Sequence, residues 1–261
     1  MAPNQKLESE LKRRTRFAQL THVRSCESTQ DLAFQSLEGH PDRSGDALFW
    51  SDHQTRGRGR QQRAWDDEAG LDLAVTFSVR LDLSNPVALP AALPVAVLQA
   101  CEAQAAARLR IKWPNDVYAG DRKLSGVLID RDSARPDRYR IGVGLNVNRT
   151  TFPPALAGQA TSLRLLSGEE LDRDAALLQL AERVDTMLGA VSGSRDLAPY
   201  VSLFRDRLGL LGREVSVTAG ATSTGTLTDV DFDRLVLDGE REVPLAVVTR
   251  LAPRGDEGRP R

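Results

Sequence analysis

The chain has little cysteine, few aromatic residues and almost no net charge. Its 261 residues include two cysteines, Cys26 and Cys101, which lie far apart without metal-ligand spacing, so neither a disulfide scaffold nor a zinc site is expected. The 35 basic and 36 acidic residues give a formal net charge of −1. The protein as a whole therefore has no positive electrostatic field that could hold nucleic acid or an anionic membrane. Any site that uses positive charge must therefore be a local cluster of basic residues.

Long hydrophobic runs are also missing. Nowhere do 18 apolar residues follow one another, and the polar N-terminus carries no apolar targeting segment. The composition, with 41% hydrophobic and 27% charged residues, is typical of a globular protein. We therefore expect a cytoplasmic protein that does not bind membranes.

Shifts in pattern divide the chain. The predicted parts are a charged N-terminal extension without a clear core face, a domain of mixed helices and strands, a small barrel-sized domain of short strands, and a disordered tail; they cover residues 1–24, 25–210, 211–252 and 253–261. An alanine-rich stretch predicts a helix after Pro86 that starts late because of Pro90 and Pro94. Three strands are predicted next, over residues 110–119, 123–131 and 138–148.

The loop from Asp52 to Trp65, DHQTRGRGRQQRAW, is the most informative segment. Gly57 and Gly59 allow main-chain N–H groups to approach a ligand closely. Planar charged donors for carboxylate and phosphate oxygens come from Arg58, Arg60 and Arg63. The loop therefore predicts an anion site, and its alternative is a solvated arginine-rich turn.

Two later strands carry residues suited to a ligand. Lys123 begins an apolar strand beside Gly126, where a missing side chain leaves space, and it is a candidate charge for a phosphate or carboxylate. Gly142 and Gly144 lie within one strand, where glycine is unfavourable unless close approach is needed. Asn146, at its end, offers an amide to a heterocycle or ribose.

Five motifs, in order over about residues 25–250, resemble the biotin protein ligase family. They are STQ from Ser28, GRGRQQRAW from Gly57, KWPND from Lys112, DRKLSG from Asp121 and GVGLNVN from Gly142. The resemblance implies an α+β fold, in which a mixed-sheet catalytic domain like that of class II synthetases is flanked by helices. It also implies a small C-terminal SH3-like β-barrel, where the match is weaker. The short segment before Ser25 leaves no room for the DNA-binding domain of repressor relatives, so DNA binding is not expected.

The same resemblance implies a two-step reaction. ATP and biotin would be substrates, with Mg²⁺, and the product of the first step would be biotinyl-5′-AMP. A lysine of a biotin carboxyl carrier domain, from an acetyl-CoA or acyl-CoA carboxylase, would then receive biotin. A monomer or a homodimer is compatible with the sequence.

Site residues follow from the motifs by similarity. The catalytic residues would be Lys123, Arg58 and Arg60. The biotin site would comprise these three together with Ser28, Thr29, Gln30, Gln54, Gly57, Gly59 and Gly126. The ATP and adenylate site would comprise them together with Arg63, Trp65, Asn115, Gly144 and Asn146. No protein ligand for a metal is assigned. Arg56 and Gln62 depart from the family's usual alanine and glycine.

Three alternatives stay open at this point. A lipoate protein ligase shares the fold class and chemistry, but its more hydrophobic pocket does not need polar contacts from Ser28, Thr29 and Gln54. A biotin-binding sensor without catalysis would not need both Lys123 and the loop arginines. A nucleic-acid-binding module is disfavoured because the chain has no basic face and no recognition-helix motif.

Overall fold

The computed structural model describes residues 5–38, 45–83, 86–193 and 195–256. Its helices are α1 (Gln5–Arg14), α2 (Thr29–Glu38), α3 (Leu89–Ala105), α4 (Leu163–Ser167), α5 (Arg173–Val191) and α6 (Ala198–Leu208). The first seven strands are β1 (Gln19–Val23), β2 (Ala47–Ser51), β3 (Leu73–Arg80), β4 (Leu109–Lys112), β5 (Asp116–Ala119), β6 (Arg122–Arg131) and β7 (Arg138–Leu145). The remaining strands are β8 (Glu214–Ala219), β9 (Ala221–Val230), β10 (Arg234–Leu237), β11 (Arg241–Pro244) and β12 (Arg250–Pro253).

The first seven strands form one mixed sheet in the order β1-β2-β3-β7-β6-β5-β4. β1 and β2 are parallel, and the other neighbouring strands are antiparallel. The predicted α+β fold, with a mixed sheet flanked by helices, is confirmed.

The two faces of this sheet differ, because successive side chains of a strand point to opposite sides. On β3, Val75 and Phe77 join the main hydrophobic core, which also contains the buried side chains of α3 and α5. Thr76 lies on the other face, where its Oγ1 donates a 2.8 Å hydrogen bond to Oγ1 of Thr29 in α2. We call these the core face and the site face.

Helix α3 lies at the centre of the core face. It begins at Leu89 and contains Pro94, so the predicted late start is wrong. Pro94 is the sixth residue of α3, beyond the four whose N–H groups have no partner within the helix, so one main-chain hydrogen bond is lost there. By length and composition alone, the segment Pro86–Ala105 is apolar enough to cross a membrane, but it is mostly buried inside the protein, as a core helix is.

The N-terminal segment contributes to this core. Leu7 and Leu11 of α1 are buried, so the expectation that this segment lacks a core face is wrong. Two apolar residues four positions apart lie on one face of a helix, which is too short a pattern to stand out in a charged sequence. The next segment, β1, forms an edge of the main sheet.

The predicted strand over residues 110–119 is two strands. β4 and β5 are separated by a turn that contains the cis peptide bond between Trp113 and Pro114. The Trp113 indole Nε1 donates to the Val248 carbonyl at 3.0 Å, so this turn also contacts the C-terminal region.

The C-terminal strands form a separate five-stranded antiparallel sheet in the order β11-β10-β9-β8-β12. Within the described residues, no pairing of β11 with β12 closes this sheet into a barrel. The region predicted as a disordered tail begins inside the fold, since Pro253 ends β12. Residues 257–261 lie outside the described residues.

Candidate active site

A cavity of about 280 Å³ lies on the site face of the main sheet. It brings together residues from all five sequence motifs. Every predicted site residue except Gly57 lines it: Ser28, Thr29, Gln30, Gln54, Arg58, Gly59, Arg60, Arg63, Trp65, Asn115, Lys123, Gly126, Gly144 and Asn146.

The floor of this cavity depends on glycines in β7. A Cβ atom at Gly142 would lie 2.9 Å from Nε2 of Gln30. A Cβ atom at Gly144 would overlap the indole of Trp65. The two glycines therefore let a glutamine and an indole lie directly on the sheet.

The arginine loop folds into a narrow hairpin beside the cavity. The Trp65 N–H donates to the Gly57 carbonyl at 2.9 Å, and a Cβ at Gly57 would lie 2.5 Å from the Trp65 carbonyl oxygen. Gly57 is therefore needed where the arms of the hairpin meet, outside the cavity lining. Gln62 has a φ of 60°, in the left-handed region that favours the family's usual glycine.

The three predicted arginines differ in their surroundings. Nη2 of Arg58 lies 2.5 Å from Oδ1 of Asp31 in α2, and both side chains are partly exposed. Arg60 is half-buried, and burial lowers the pKa of its guanidinium. Neither Arg60 nor Arg63 forms an ion pair with any residue in the described part of the chain. Arg60 therefore brings a charge into the cavity that protein carboxylates leave unpaired.

Lys123 lines the cavity. Its Nζ is 2.7 Å from Oδ1 of Asp116 and 5.5 Å from the centroid of the Trp65 ring. A Cβ at Gly126 would lie 3.2 Å from both Asp116 Oδ1 and Lys123 Nζ, so the glycine makes room for this ion pair. The main chain of Lys123 is also fixed, because its N–H donates to the Gln159 carbonyl at 2.7 Å.

Gln54 and Thr29 form a polar network at one end of the cavity. Oε1 of Gln54 accepts from the Thr29 N–H at 3.0 Å, and its Nε2 donates to Oδ2 of Asp67 at 3.3 Å. Asp67 also contacts Nδ1 of His53 at 2.7 Å. Both ends of the Gln54 amide thus have protein partners, so this side chain also organises the wall.

The side-chain amide of Gln30 is only partly satisfied by protein partners. Its Nε2 donates to the Leu128 carbonyl at 3.1 Å, whereas its Oε1 is buried without a hydrogen-bond partner in the described structure. Nε1 of Trp65 is likewise buried without a partner. Such groups are unfavourable in a folded protein unless a ligand or water satisfies them. An acceptor and a donor thus lie in the lining of the same cavity.

The two predicted asparagines use their amides on the backbone. Nδ2 of Asn115 donates to the Val127 carbonyl at 2.7 Å, and Nδ2 of Asn146 donates to the Thr161 carbonyl at 2.9 Å. Both residues line the cavity, and both hold neighbouring segments in place.

The sequence analysis did not assign several residues of the lining. They include Asp66, Lys112, Asp116, Tyr118, Arg149 and Phe152. Burial lowers the pKa of the Lys112 ammonium, which lies 5.0 Å from the centroid of the Tyr118 ring. Lys112 and Asp116 belong to the KWPND motif, so the motif itself was a signal for them.

Comparison with known proteins identifies the family. Residues 23–148 match the biotin/lipoate A/B protein ligase family. A biotin–[acetyl-CoA-carboxylase] ligase from Paracoccus denitrificans is 33% identical over 84% of this chain and 97% of its own length. The chain belongs to the biotin protein ligase family.

Other similarities extend this result. The bifunctional ligase/repressor BirA of Bacillus spizizenii is 40% identical over 133 residues, which are 48% of this chain and 41% of that protein. The chain thus spans less than half of such a relative. A biotin protein ligase from Aquifex aeolicus, solved with biotin and ATP, has a TM-score of 0.77 and 26% identity, and the match covers 91% of this chain and 100% of that one.

Proposed function

We propose that this protein is an ATP-dependent biotin protein ligase. It forms biotinyl-5′-AMP from biotin and ATP and then transfers biotin to a lysine of a carrier protein. The observation that carries the proposal is the placement of Lys123 and Arg60 in one glycine-floored cavity, with unsatisfied polar atoms on Gln30 and Trp65. The named relatives and the Aquifex aeolicus complex support the same substrates.

The polar end of the cavity suits the ureido ring of biotin. Ser28, Thr29 and Gln30 are buried there, each less than 4% exposed. Oε1 of Gln30 is an acceptor without a partner, and a ureido N–H is a donor. Lipoate has no such donor in its ring, so this atom favours biotin over the lipoate alternative.

In the first step, a carboxylate oxygen of biotin attacks the α-phosphorus of ATP. The bond from that phosphorus to the oxygen bridging the α- and β-phosphates breaks, and pyrophosphate leaves. Two anions must approach each other, so the protein's task is to neutralise charge and align the reactants. Lys123 and Arg60 supply the charge, and Arg58 adds to it when its contact with Asp31 is released.

In the second step, the amine of a carrier lysine attacks the acyl carbon of biotinyl-5′-AMP. An amide bond forms, the bond from the acyl carbon to the phosphate oxygen breaks, and AMP leaves while the amine loses a proton. The arginine hairpin forms part of the cavity wall and limits the access of water to this reactive anhydride.

We infer that Mg²⁺ would accompany ATP and would neutralise part of the charge on its phosphates. Within the described residues, no three His, Cys, Asp or Glu side chains form a metal-binding group. The acceptor is a biotin carboxyl carrier domain of an acetyl-CoA or acyl-CoA carboxylase, and the reaction takes place in the cytoplasm without DNA binding. The C-terminal strands correspond to the SH3-like domain of the family, and residues 25–210, together with α1 and β1, form the catalytic domain.

The test is release of pyrophosphate from ATP by the purified protein, with biotin, lipoate or neither. Biotin-dependent release is the expected result. Release with lipoate alone assigns the protein to lipoate ligation, and release with neither contradicts both assignments.

A further inference from the structure

Arg149 is a buried arginine that contacts three carboxylates of one neighbouring segment. It follows β7 and is 3% exposed. Its Nη2 lies 2.8 Å from Oδ2 of Asp66, and its Nη1 donates to the Asp66 carbonyl at 3.1 Å. Its Nη1 is also 3.5 Å from Oδ2 of Asp72, and its Nε is 3.7 Å from Oε2 of Glu68. This guanidinium therefore ties the exit of the arginine hairpin to the end of β7.

The backbone of Arg149 joins a third segment. Its carbonyl accepts a 2.5 Å hydrogen bond from Oγ of Ser162, and that same Oγ accepts from the Leu165 N–H at the start of α4. Three segments that are distant in sequence thus meet at one residue. A side chain in such a position is well fixed.

The Arg149 guanidinium also contacts an aromatic ring that lines the cavity. Its guanidinium carbon lies 4.6 Å from the centroid of the Phe152 ring, a cation–π distance. Arg149, Asp66 and Phe152 all line the cavity. Asp66 directly follows Trp65, whose indole lies on Gly144. Arg149 therefore holds both aromatic rings at this end of the cavity, one through Asp66 and the other directly.

We propose that Arg149 is a positioning residue that sets the affinity for the nucleotide by holding Trp65 and Phe152 in place. This inference rests on the proposed function, because it assigns the aromatic end of the cavity to ATP. Aromatic rings offer a flat apolar surface to a purine base, and the polar end near Gln30 is assigned to biotin. Binding of ATP, and not of biotin, should then depend on Arg149.

The test compares Arg149→Lys with Arg207→Lys. Lysine keeps the charge but lacks the planar fork that reaches both Oδ2 and the main-chain carbonyl oxygen of Asp66. Arg207 is the matched control, because it is also a mostly buried arginine, with Nη1 2.7 Å from Oε1 of Glu102, and it lies outside the cavity lining. In biotin-dependent pyrophosphate release, Arg149→Lys should raise KM for ATP about 10-fold, with KM for biotin changed less than about twofold. Arg207→Lys should leave both KM values within about twofold.

Equal increases in both KM values, or no increase for ATP, would overturn the proposal. Should Arg149→Lys fail to fold, Asp66→Asn removes the same ion pair from its partly exposed partner. We expect that variant to raise KM for ATP about threefold. An unchanged KM for ATP in Asp66→Asn would also overturn the proposal.

A second readout needs no catalysis. Trp50 and Trp113 are buried, so Trp65 is the most accessible of the three tryptophans to acrylamide. Arg149→Lys should increase acrylamide quenching of the free protein, and the increase should vanish in a Trp65→Phe background. Equal quenching in Arg149→Lys and wild type, or an increase that persists without Trp65, contradicts the positioning role. If the wild-type protein shows no biotin-dependent release of pyrophosphate, although Arg149→Lys increases quenching as expected, the proposed function is contradicted and the positioning role is not.

Discussion

The two faces of the main sheet are built from the same strands but have different roles. On the core face, Phe77 and Ile141 are fully buried against the helices. On the site face, Gly142 and Gly144 replace such side chains with open space, which Gln30 and Trp65 enter. The alternation of a strand thus allows one face to hold the fold together while the other is shaped for a ligand. Substitutions on the two faces should therefore affect different measurements.

The largest stability effect is expected on the core face. Phe77→Ala removes a fully buried ring that packs 4.8 Å, centroid to centroid, from Phe17. We expect a loss of about 3–5 kcal/mol in the free energy of unfolding, measured by urea denaturation. Phe34→Ala, in α2 on the site face, is the control, since its ring is 37% exposed. A comparable loss in both variants would break the distinction between the faces.

The largest activity effect is expected at the site. Lys123→Ala removes the ammonium beside Asp116 and Trp65, and we expect adenylation to slow by about 100-fold or more. Single-turnover formation of the adenylate measures this rate. Lys12→Ala is the control, because Lys12 pairs with Glu8 on the exposed side of α1. Normal adenylation in Lys123→Ala would remove the lysine from the mechanism.

A glycine substitution tests the shape of the site face. Gly144→Ala forces the Trp65 indole to move, and we expect KM for ATP to rise about 10-fold with little change in the free energy of unfolding. Gly126→Ala is the milder partner, because its Cβ would meet only the movable ends of Asp116 and Lys123. In steady-state kinetics, Gly144→Ala should raise KM for ATP more than Gly126→Ala does. The reverse order would contradict the account of the cavity floor.

The smallest effect concerns Asp72, a buried residue outside the cavity lining. Burial raises the pKa of its carboxyl to about 7, so between its unfolded pKa and about pH 7 the folded state holds a proton that the unfolded state releases. Stability should therefore fall as pH rises through this range, by at least about 3 °C in Tm. Asp72→Asn should flatten this slope, as measured by thermal denaturation between pH 4 and 8.

Asp137→Asn is the control for the fall in Tm with rising pH that we attribute to Asp72. The hydrogen bond from Arg80 lowers the pKa of the exposed Asp137 carboxyl, so its contribution is lost as pH falls. An unchanged slope in Asp72→Asn would show that Asp72 does not control the pH dependence.

Much of the site could be predicted because its motifs are local in sequence. Gly142 and Gly144 stand out in a strand, and Lys123 stands out beside Gly126, since each conflicts with the ordinary pattern of its element. The structure places these residues together in one cavity. The roles of individual predicted residues in binding remain predictions.

The unpredicted features depend on distant contacts. Arg149 and Asp66 are 83 residues apart, and nothing near either residue indicates the other. Gly57 was assigned to a ligand, whereas its surroundings show that it contacts the opposite arm of the hairpin. Propensity misplaced the start of α3 for a similar reason, because tertiary burial outweighs the local cost of Pro94.

The central claim is that the glycine-bearing face forms and holds biotinyl-5′-AMP. The most direct measurement is a single-turnover reaction with biotin and ATP labelled at the α-phosphate, followed by addition of a biotin carboxyl carrier domain. We predict that labelled biotinyl-5′-AMP stays bound to the wild-type protein and is discharged as AMP when the carrier is added. A protein that retains no labelled acyl-adenylate, although it is folded and binds biotin, would contradict this account.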